Sequence, residues 1–294
     1  MISNIHDEQK VKALTDALSR EGYVVLRKAI TPEQLTELQN ELDVFYRKYP
    51  NASGVFYGDK TVRFGSVFAK SPASHALATD PVVLGTIEAI LKPFCERIQI
   101  NLTQAIGIQP HQDFQVPHRN DSLFPIDLGG TEFMINCMWA LTPFNEDNGG
   151  TRIWPKSHLD SFDPNIDLDA AICPDLDAGD VLIYLGSTVH SDGRNQTNAM
   201  RKGLELSYSL GWLRQAENQY LANPPALAAT YSPKLQELVG YAAHRPNLGW
   251  YEGQDPSTAL ENRKGLQPTH DLLPPEMEAM AAAYQQAQQL MKAS

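Results

Sequence analysis

The sequence predicts a mainly β fold with flanking helices, whose core is an antiparallel barrel or a double-sheet jelly roll. From about residue 97, four β-rich runs follow one another, separated by stretches rich in Gly, Pro, Asn and Asp. Short strands at such spacing are typical of antiparallel sheets, whereas parallel strands are normally joined through a helix. Apolar residues at helical spacing occur before and after these runs. The four runs are RIQINLTQAIGI (97–108), EFMINCMWAL (132–141), GDVLIYL (179–185) and LELSYSLGW (204–212).

The N-terminal part is predicted to form a helix, a strand and a second helix. Residues 7–20 have apolar side chains at helical spacing, and a strand is expected at 23–30. The second helix is expected to begin at Pro32, with Thr31 as its N-cap and Gln34 three residues after the cap. In such a capping box both side chains satisfy backbone N–H groups that have no partner inside the helix.

A third helix and a C-terminal helix complete the predicted elements. DPVVLGTIEAIL (80–91) starts with Asp80 as its cap, and PPEMEAMAAAYQQAQQLMKA (274–293) is expected to be the terminal helix. The sequence contains no evident repeat or linker, so we expect one domain, residues 1–294. Its expected parts are a helical N-terminal flank at about 1–95, a β core at about 96–214, and C-terminal helices and loops at about 215–294.

The composition is that of an ordinary globular protein with an acidic surface. Of 294 residues, 42% are hydrophobic and 20% are charged, and the formal net charge is -11. An acidic surface repels nucleic acid phosphates and anionic lipids, so we expect neither as a partner. No run approaches the roughly 20 apolar residues of a membrane-spanning helix, and no signal peptide is evident. Cys95, Cys137 and Cys173 form neither a disulfide framework nor a zinc-ligand spacing. A cytoplasmic location is the expectation.

Two motifs within QPHQDFQVPHRND (109–121) have the spacing of metal ligands. Asp113 lies two residues after His111, and Asn120 lies two residues after His118. Residues i and i+2 of a strand point to the same side, so either motif can present two ligands to one cation.

A third ligand candidate, His190, follows the buried run that ends at Leu185. Three ligands on one face of an octahedral ferrous ion leave three positions open for a co-substrate and oxygen. Arg201, eleven residues after His190, stands at the start of the next strand. A guanidinium there is suited to binding a carboxylate through two hydrogen bonds. The order of these elements, more than any single residue, points to metal-dependent chemistry.

Five further segments occur in a fixed order along the chain. They are EGYVVLRKAITPEQLTELQNEL (21–42), KTVRFGSVFAKSP (60–72), NLTQAIGIQPHQDFQVPHRND (101–121), MWALTPFNEDNGGTRIWPKSH (138–158) and GWLRQAENQYLANPP (211–225). Together they resemble the phytanoyl-CoA dioxygenase (PhyH) family of Fe(II)- and 2-oxoglutarate-dependent oxygenases, in its natural-product branch. The resemblance implies a double-stranded β-helix, the cupin-like form of the jelly roll.

The resemblance also implies a role for particular positions. Aligned at 108–110, the family pattern puts the first metal ligand at His118 and not at His111, and the second histidine at His190. The implied metal ligands are His118, Asn120 and His190, the implied 2-oxoglutarate contacts are Gln115, Thr151 and Arg201, and the implied catalytic residues are His118, His190 and Arg201. Arg201 would pair with the distal carboxylate of 2-oxoglutarate.

Asn120 departs from the family pattern, which has an acidic ligand at this position. Several explanations stay open. The amide oxygen of Asn120 binds the metal, or Asp121 swings in, although it should face the other way on a regular strand. Alternatively, water or halide takes the position, or the residue was changed on purpose to trap an inactive complex. His111 with Asp113 is a further alternative. This pair has the spacing of metal ligands but does not align with the ligand position of the family.

The implied function is a non-haem Fe(II)/2-oxoglutarate-dependent oxygenase. It would hydroxylate, desaturate or rearrange a small-molecule metabolite, using O2 and converting 2-oxoglutarate to succinate. The alternative is a redox-silent isomerase, lyase or binding module on the same fold, and Asn120 motivates it. Arg63 and Phe68 are candidates for the substrate pocket. By analogy with fungal relatives, residues 243–253 are a candidate contact in a homodimer.

Overall fold

A computed structural model of the chain describes residues 2–126, 128–261 and 267–293. The chain divides into two compact units, residues 1–224 and 225–294, each of which is described by itself. The part of the chain that the structure describes contains no helix long and apolar enough to cross a membrane.

The first unit contains the strands and the N-terminal helices. In chain order its elements are α1 (Ile2–Glu21), β1 (Tyr23–Leu26), α2 (Pro32–Lys48), β2 (Thr61–Phe64), α3 (Val67–Lys70), α4 (Ser74–Ala78), α5 (Pro81–Leu91), β3 (Ile98–Ile108), β4 (Met134–Ala140), β5 (Thr151–Ile153), β6 (Val181–Leu185), β7 (His190–Asp192), β8 (Arg201–Leu210) and α6 (Gln219–Ala222). Short 3-10 helices lie at Lys92–Phe94, Asn120–Leu123, Ser157–Leu159 and Leu168–Ala170.

The strands form two antiparallel sheets. The larger sheet has the order β1-β6-β4-β8-β3-β2, and the smaller sheet pairs β5 with β7. The loop after β3 extends the smaller sheet, because His118 exchanges backbone hydrogen bonds with His190 of β7. β7 therefore has bonded neighbours on both sides. The predicted β fold with flanking helices is confirmed.

A cluster of buried side chains joins the two sheets. Ile106, Met138, Leu182 and Tyr184 come from the larger sheet, and Ile153 comes from the smaller one. Fully burying a side chain of this size contributes about 1.5–3 kcal/mol. β4 is buried along its whole length, and except for Asn136 its residues are apolar on both faces and show no simple alternation.

The predicted starts of two helices are confirmed. Thr31 Oγ1 accepts a hydrogen bond from the Gln34 N–H at 3.3 Å, and Gln34 Oε1 accepts one from the Thr31 N–H at 2.9 Å. Asp80 caps α5 by accepting from the N–H groups of Val82 and Val83.

The strand predicted at 23–30 is shorter than expected. β1 ends at Leu26, opposite Val181 at the start of β6. Beyond it the chain turns at Lys28, whose φ is 50° and whose N–H donates to the Asp180 carboxylate at 2.7 Å. The side chain of Asp180 thus replaces a strand partner.

The second unit is helical and irregular. It contains α7 (Pro225–Ala228), α8 (Pro233–Leu238), a 3-10 helix at Pro256–Leu260 and α9 (Pro275–Ala293). Leu235, Leu238 and Tyr241 are buried within it. The predicted C-terminal helix is confirmed as α9, and the single-domain organisation of residues 1–294 stays a prediction.

Candidate active site

Two histidines from distant parts of the sequence lie side by side in the first unit. Their ring centroids are 4.3 Å apart. His118 and His190 donate backbone N–H groups to each other's carbonyl oxygens, each at 3.0 Å. The strand pairing of β7 with the loop after β3 therefore fixes the two imidazoles as neighbours.

Both rings have the same arrangement of ring nitrogens. His118 Nδ1 lies 3.0 Å from the carbonyl oxygen of Val116, and His190 Nδ1 lies 2.9 Å from that of Thr188. A carbonyl oxygen only accepts, so each Nδ1 carries the hydrogen and each Nε2 keeps its lone pair. This tautomer is the one in which Nε2 serves as a metal ligand.

The two imidazoles are held in the neutral form that a metal requires. Burial and, to a smaller extent, the neighbouring His118 lower the pKa of His190 to about 3. Burial also lowers the pKa of His118, whereas the hydrogen bond with the Val116 carbonyl and the negative charge of Asp192 act in the opposite direction.

Asn120 stands beside this pair. Its side chain lies beside the His118 imidazole, and its Nδ2 donates to Glu205 Oε1 at 3.4 Å. Asn120 and Asp121 belong to a 3-10 helix and not to a regular strand as expected, because the Phe124 N–H bonds back to the Asp121 oxygen. Within residues 2–126, 128–261 and 267–293, no three His, Cys, Asp or Glu side chains are arranged as a metal site. The donor set at this position is thus two imidazoles and an amide.

The histidine of the other motif lies elsewhere. His111 is exposed, has a φ of 63°, and does not belong to the cavity wall that contains His118. Asp113 is exposed and pairs with Arg194 at 3.2 Å. The structure does not bring this motif together with His190.

A cavity of about 650 Å³ opens in front of the two histidines. His118, Asn120 and His190 line it, and so do Gln115 and Thr151. Gln115 Oε1 accepts a hydrogen bond from the backbone N–H of Asp192 at 3.1 Å.

Of the other predicted positions, Arg63 lines the cavity. Arg201 and Phe68 are fully buried and are not among the described residues of its wall.

Arg201 belongs to a buried ion cluster directly behind this wall. Its Nη2 lies 2.7 Å from Asp192 Oδ1, and its Nε and Nη2 donate to the carbonyl oxygen of Gly149. Arg63 Nη2 lies 2.5 Å from Asp192 Oδ2. Burial alone would raise the pKa of Asp192, but Arg201 and Arg63 hold it at about 2. One carboxylate is thus shared by two guanidinium groups.

Several buried polar atoms near this cluster have no hydrogen-bond partner in the described part of the chain. They are Thr151 Oγ1, Ser191 Oγ, Arg63 Nε and Arg201 Nη1. Buried polar groups are nearly always paired, so an unpaired group at a cavity indicates a polar ligand. These atoms are donors, which matches an oxygen-rich ligand such as a dicarboxylate.

Two acidic residues of the site were not singled out from the sequence. Asp192 lies two residues after His190 on β7, and Glu205 lies four residues after Arg201 on β8. Even spacing along a strand places each on the same side as the predicted residue, and that was the available signal. Burial raises the pKa of Glu205 to about 7.

The outer wall of the cavity is apolar and aromatic. Phe56, Tyr57, Leu123 and Phe162 line it and are partly exposed to solvent. The Phe56 ring lies 4.7 Å from that of His118, measured between centroids. Clustered exposed apolar side chains around a cavity are typical of a binding site for an organic ligand.

Residues 18–203 match the family model for phytanoyl-CoA dioxygenase (PhyH). Dioxygenase trt7 of Aspergillus terreus is 25% identical over 281 residues, which cover 90% of this chain and 96% of the relative. The multifunctional dioxygenase prhA of Penicillium brasilianum is 27% identical, with 76% and 81% covered.

Solved structures of other proteins share this fold. The epimerase SnoN in complex with Fe3+, alpha ketoglutarate and nogalamycin RO has a TM-score of 0.59 at 18% identity, covering 73% of this chain and 90% of SnoN. HygX from Streptomyces hygroscopicus, with nickel, 2-oxoglutarate and hygromycin B bound, has a TM-score of 0.55 at 13% identity, with 69% and 89% covered. The predicted double-stranded β-helix is confirmed.

Fold and site together define an enzyme of the jelly-roll dioxygenase class. The chain belongs to the phytanoyl-CoA dioxygenase family, whose model covers more than half of it. The family resemblance read from the sequence is therefore confirmed.

Proposed function

We propose that this protein is a non-haem Fe(II)- and 2-oxoglutarate-dependent oxygenase that oxidises a small organic molecule. The observation that carries the proposal is the pair of neutral imidazoles, His118 and His190, at the wall of the cavity. Membership of the PhyH family supports it, as do the metal and 2-oxoglutarate bound by SnoN and HygX.

The residues that would hold the metal are His118, His190 and Asn120. Each imidazole has its Nδ1 engaged by a carbonyl oxygen and its Nε2 free, and the Asn120 amide lies beside His118. Iron with 2-oxoglutarate and O2 supplies an oxidant for an unactivated C–H bond, with succinate and CO2 as co-products. The chain would contribute fixed ligands and a cavity with a partly apolar wall.

Gln115, Thr151 and Arg201 are the proposed contacts of 2-oxoglutarate. Thr151 Oγ1 and Arg201 Nη1 are buried donors without a partner in the described part of the chain. Arg201 shares Asp192 with Arg63, so an incoming carboxylate would meet two guanidinium groups and one carboxylate. Arg63 faces the cavity and is added to the proposed contacts for this reason.

The substrate would be a molecule with a substantial apolar surface. The partly exposed side chains of Phe56, Leu123 and Phe162 line the cavity on the side open to solvent. A natural product or related metabolite of this character would bury these side chains on binding, which favours association. The hygromycin B bound by HygX and the nogalamycin RO bound by SnoN support a small-molecule substrate.

Succinate formation tests the proposal. Purified protein is supplied with Fe(II), 2-oxoglutarate, O2 and a panel of apolar metabolites, and succinate is measured with and without iron. The expected result is iron-dependent succinate in the native protein and none in His190→Ala. Absence of both iron uptake and succinate across the panel would overturn it.

Asn120 favours a second candidate, a redox-silent isomerase or lyase on the same scaffold, because an amide is a weaker ligand than a carboxylate. The Asn120→Asp variant separates the two. Iron-dependent succinate formation in the native protein that the variant retains supports the oxygenase, and loss of a native non-oxidative activity supports the redox-silent enzyme.

A further inference from the structure

An asparagine in a metal site presents a problem that an aspartate does not. The two ends of its amide differ: Oδ1 has lone pairs for a metal, whereas Nδ2 is a donor and cannot ligate. Rotation of the amide by half a turn exchanges the two ends. A site that uses Asn120 as a ligand therefore needs a neighbour that selects one orientation.

Glu205 is such a neighbour. Its Oε1 lies 3.4 Å from Asn120 Nδ2 and 3.4 Å from the hydroxyl of Tyr184. Glu205 Oε1 accepts the hydrogen bond from Asn120 Nδ2, and this contact favours the amide orientation with Nδ2 towards Glu205. The Asn120 oxygen is then left on the side of His118, beside which the Asn120 side chain lies.

The position of Glu205 is fixed by the larger sheet. It lies in the middle of β8, with Gln104 of β3 on one side and Met138 of β4 on the other. It is buried and lines the cavity. In the described part of the chain Glu205 is not grouped with the two histidines as a metal-ligand set, and its contact with the site is the hydrogen bond from Asn120.

We propose that Glu205 is the positioning residue of an atypical metal site, which holds the amide of Asn120 so that Oδ1 faces the two imidazoles. The inference rests on the proposed function. Glu205 and Asn120 form a matched pair, because an aspartate at position 120 would bring a second carboxylate against Glu205. Two carboxylates that face each other are two acceptors with no donor between them, whereas the Asn120 amide supplies that donor.

Metal affinity in a double-mutant cycle tests this pairing. The full chain is titrated with Co(II) under anaerobic conditions, and binding is followed by visible absorption. In the native background, Glu205→Gln is expected to weaken Co(II) binding by about 10- to 100-fold, the usual effect of losing a partner behind a ligand. In the Asn120→Asp background the same change is expected to strengthen binding, because the glutamine amide donates to the new carboxylate.

The reversal of sign is the decisive result, since a purely structural role would weaken binding in both backgrounds. Glu41→Gln is the matched control, because Glu41 accepts hydrogen bonds from Ser71 and Ala73 away from the cavity. Should Glu205→Gln fail to fold, Glu205→Met replaces it and is expected to weaken binding in the native background.

Equal Co(II) affinity in the native protein and in a folded Glu205 variant would overturn the inference alone. Failure of the native protein to bind Co(II) would overturn the proposed function as well.

Discussion

At the scale of single residues, the site depends on charges that are buried and shared. Asp192 lies between Arg63 and Arg201, and each of the three side chains is at most 9% exposed. Removing one charged partner of such a cluster leaves the remaining charges uncompensated in the protein interior. Asp192 therefore matters for stability even before any ligand binds.

Replacing Asp192 by asparagine is expected to lower the free energy of unfolding by about 3 kcal/mol, the cost of leaving buried guanidinium groups without a counter-charge. Urea denaturation of the native and variant proteins measures the difference. Asp113→Asn is the control, because this carboxylate is 81% exposed and pairs with Arg194 at the surface. Equal effects of the two substitutions would contradict the structural role of the cluster.

At the scale of elements, the site is assembled by connections between strands. The Glu132 carboxylate, two residues before β4, accepts hydrogen bonds from the Ser187 hydroxyl at 2.5 Å and the Ser187 N–H at 3.3 Å. Ser187 belongs to the turn between β6 and β7, and β7 begins with His190. Glu132 thus connects the start of β4 to the turn that precedes His190.

The burial of Glu132 should make the stability of the protein depend on pH. Burial raises the pKa of Glu132 from its ordinary value of 4.5 to about 7. Its contribution to stability is complete below the unfolded pKa and is lost as the pH rises through the folded pKa. The melting temperature of the native protein minus that of Glu132→Gln is therefore expected to fall between pH 5 and pH 8. A difference that stays constant over this range would contradict the assignment.

The elements that were predicted well are those whose signals are local. The capping box of Thr31 and Gln34 and the Asp80 cap depend on residues within one helical turn, and both are present. β7 has three residues and depends on partners far away in sequence, so no local pattern marks it. The ending of β1 at Leu26 likewise depends on Asp180, more than 150 positions later.

At the scale of the whole molecule, the order of motifs carried more information than any one of them. It led to the family and to His118, Asn120 and His190, which the fold brings to one cavity. It did not lead to Asp192 or Glu205. Spacing along β7 and β8 could place them on the same side as His190 and Arg201, but their partners arise only from the packing of these strands against others. Pairings of this kind are set by tertiary structure and not by spacing.

Arg201 shows a second limit of prediction from the sequence. Its place in the sequence is typical of an anchor for a carboxylate, and in the fold it already has one in Asp192. Composition and spacing alone could not distinguish a carboxylate of the chain from a carboxylate of a ligand.

Metal stoichiometry tests the central claim most directly. Native protein, His118→Ala, His190→Ala and His111→Ala are each titrated anaerobically with Fe(II), and bound iron per chain is measured after gel filtration. The expected result is one iron in the native protein and in His111→Ala, and a loss of tight binding in the other two variants. Iron retained without His118 and His190, or lost without His111, would contradict a metal centre built on these two imidazoles.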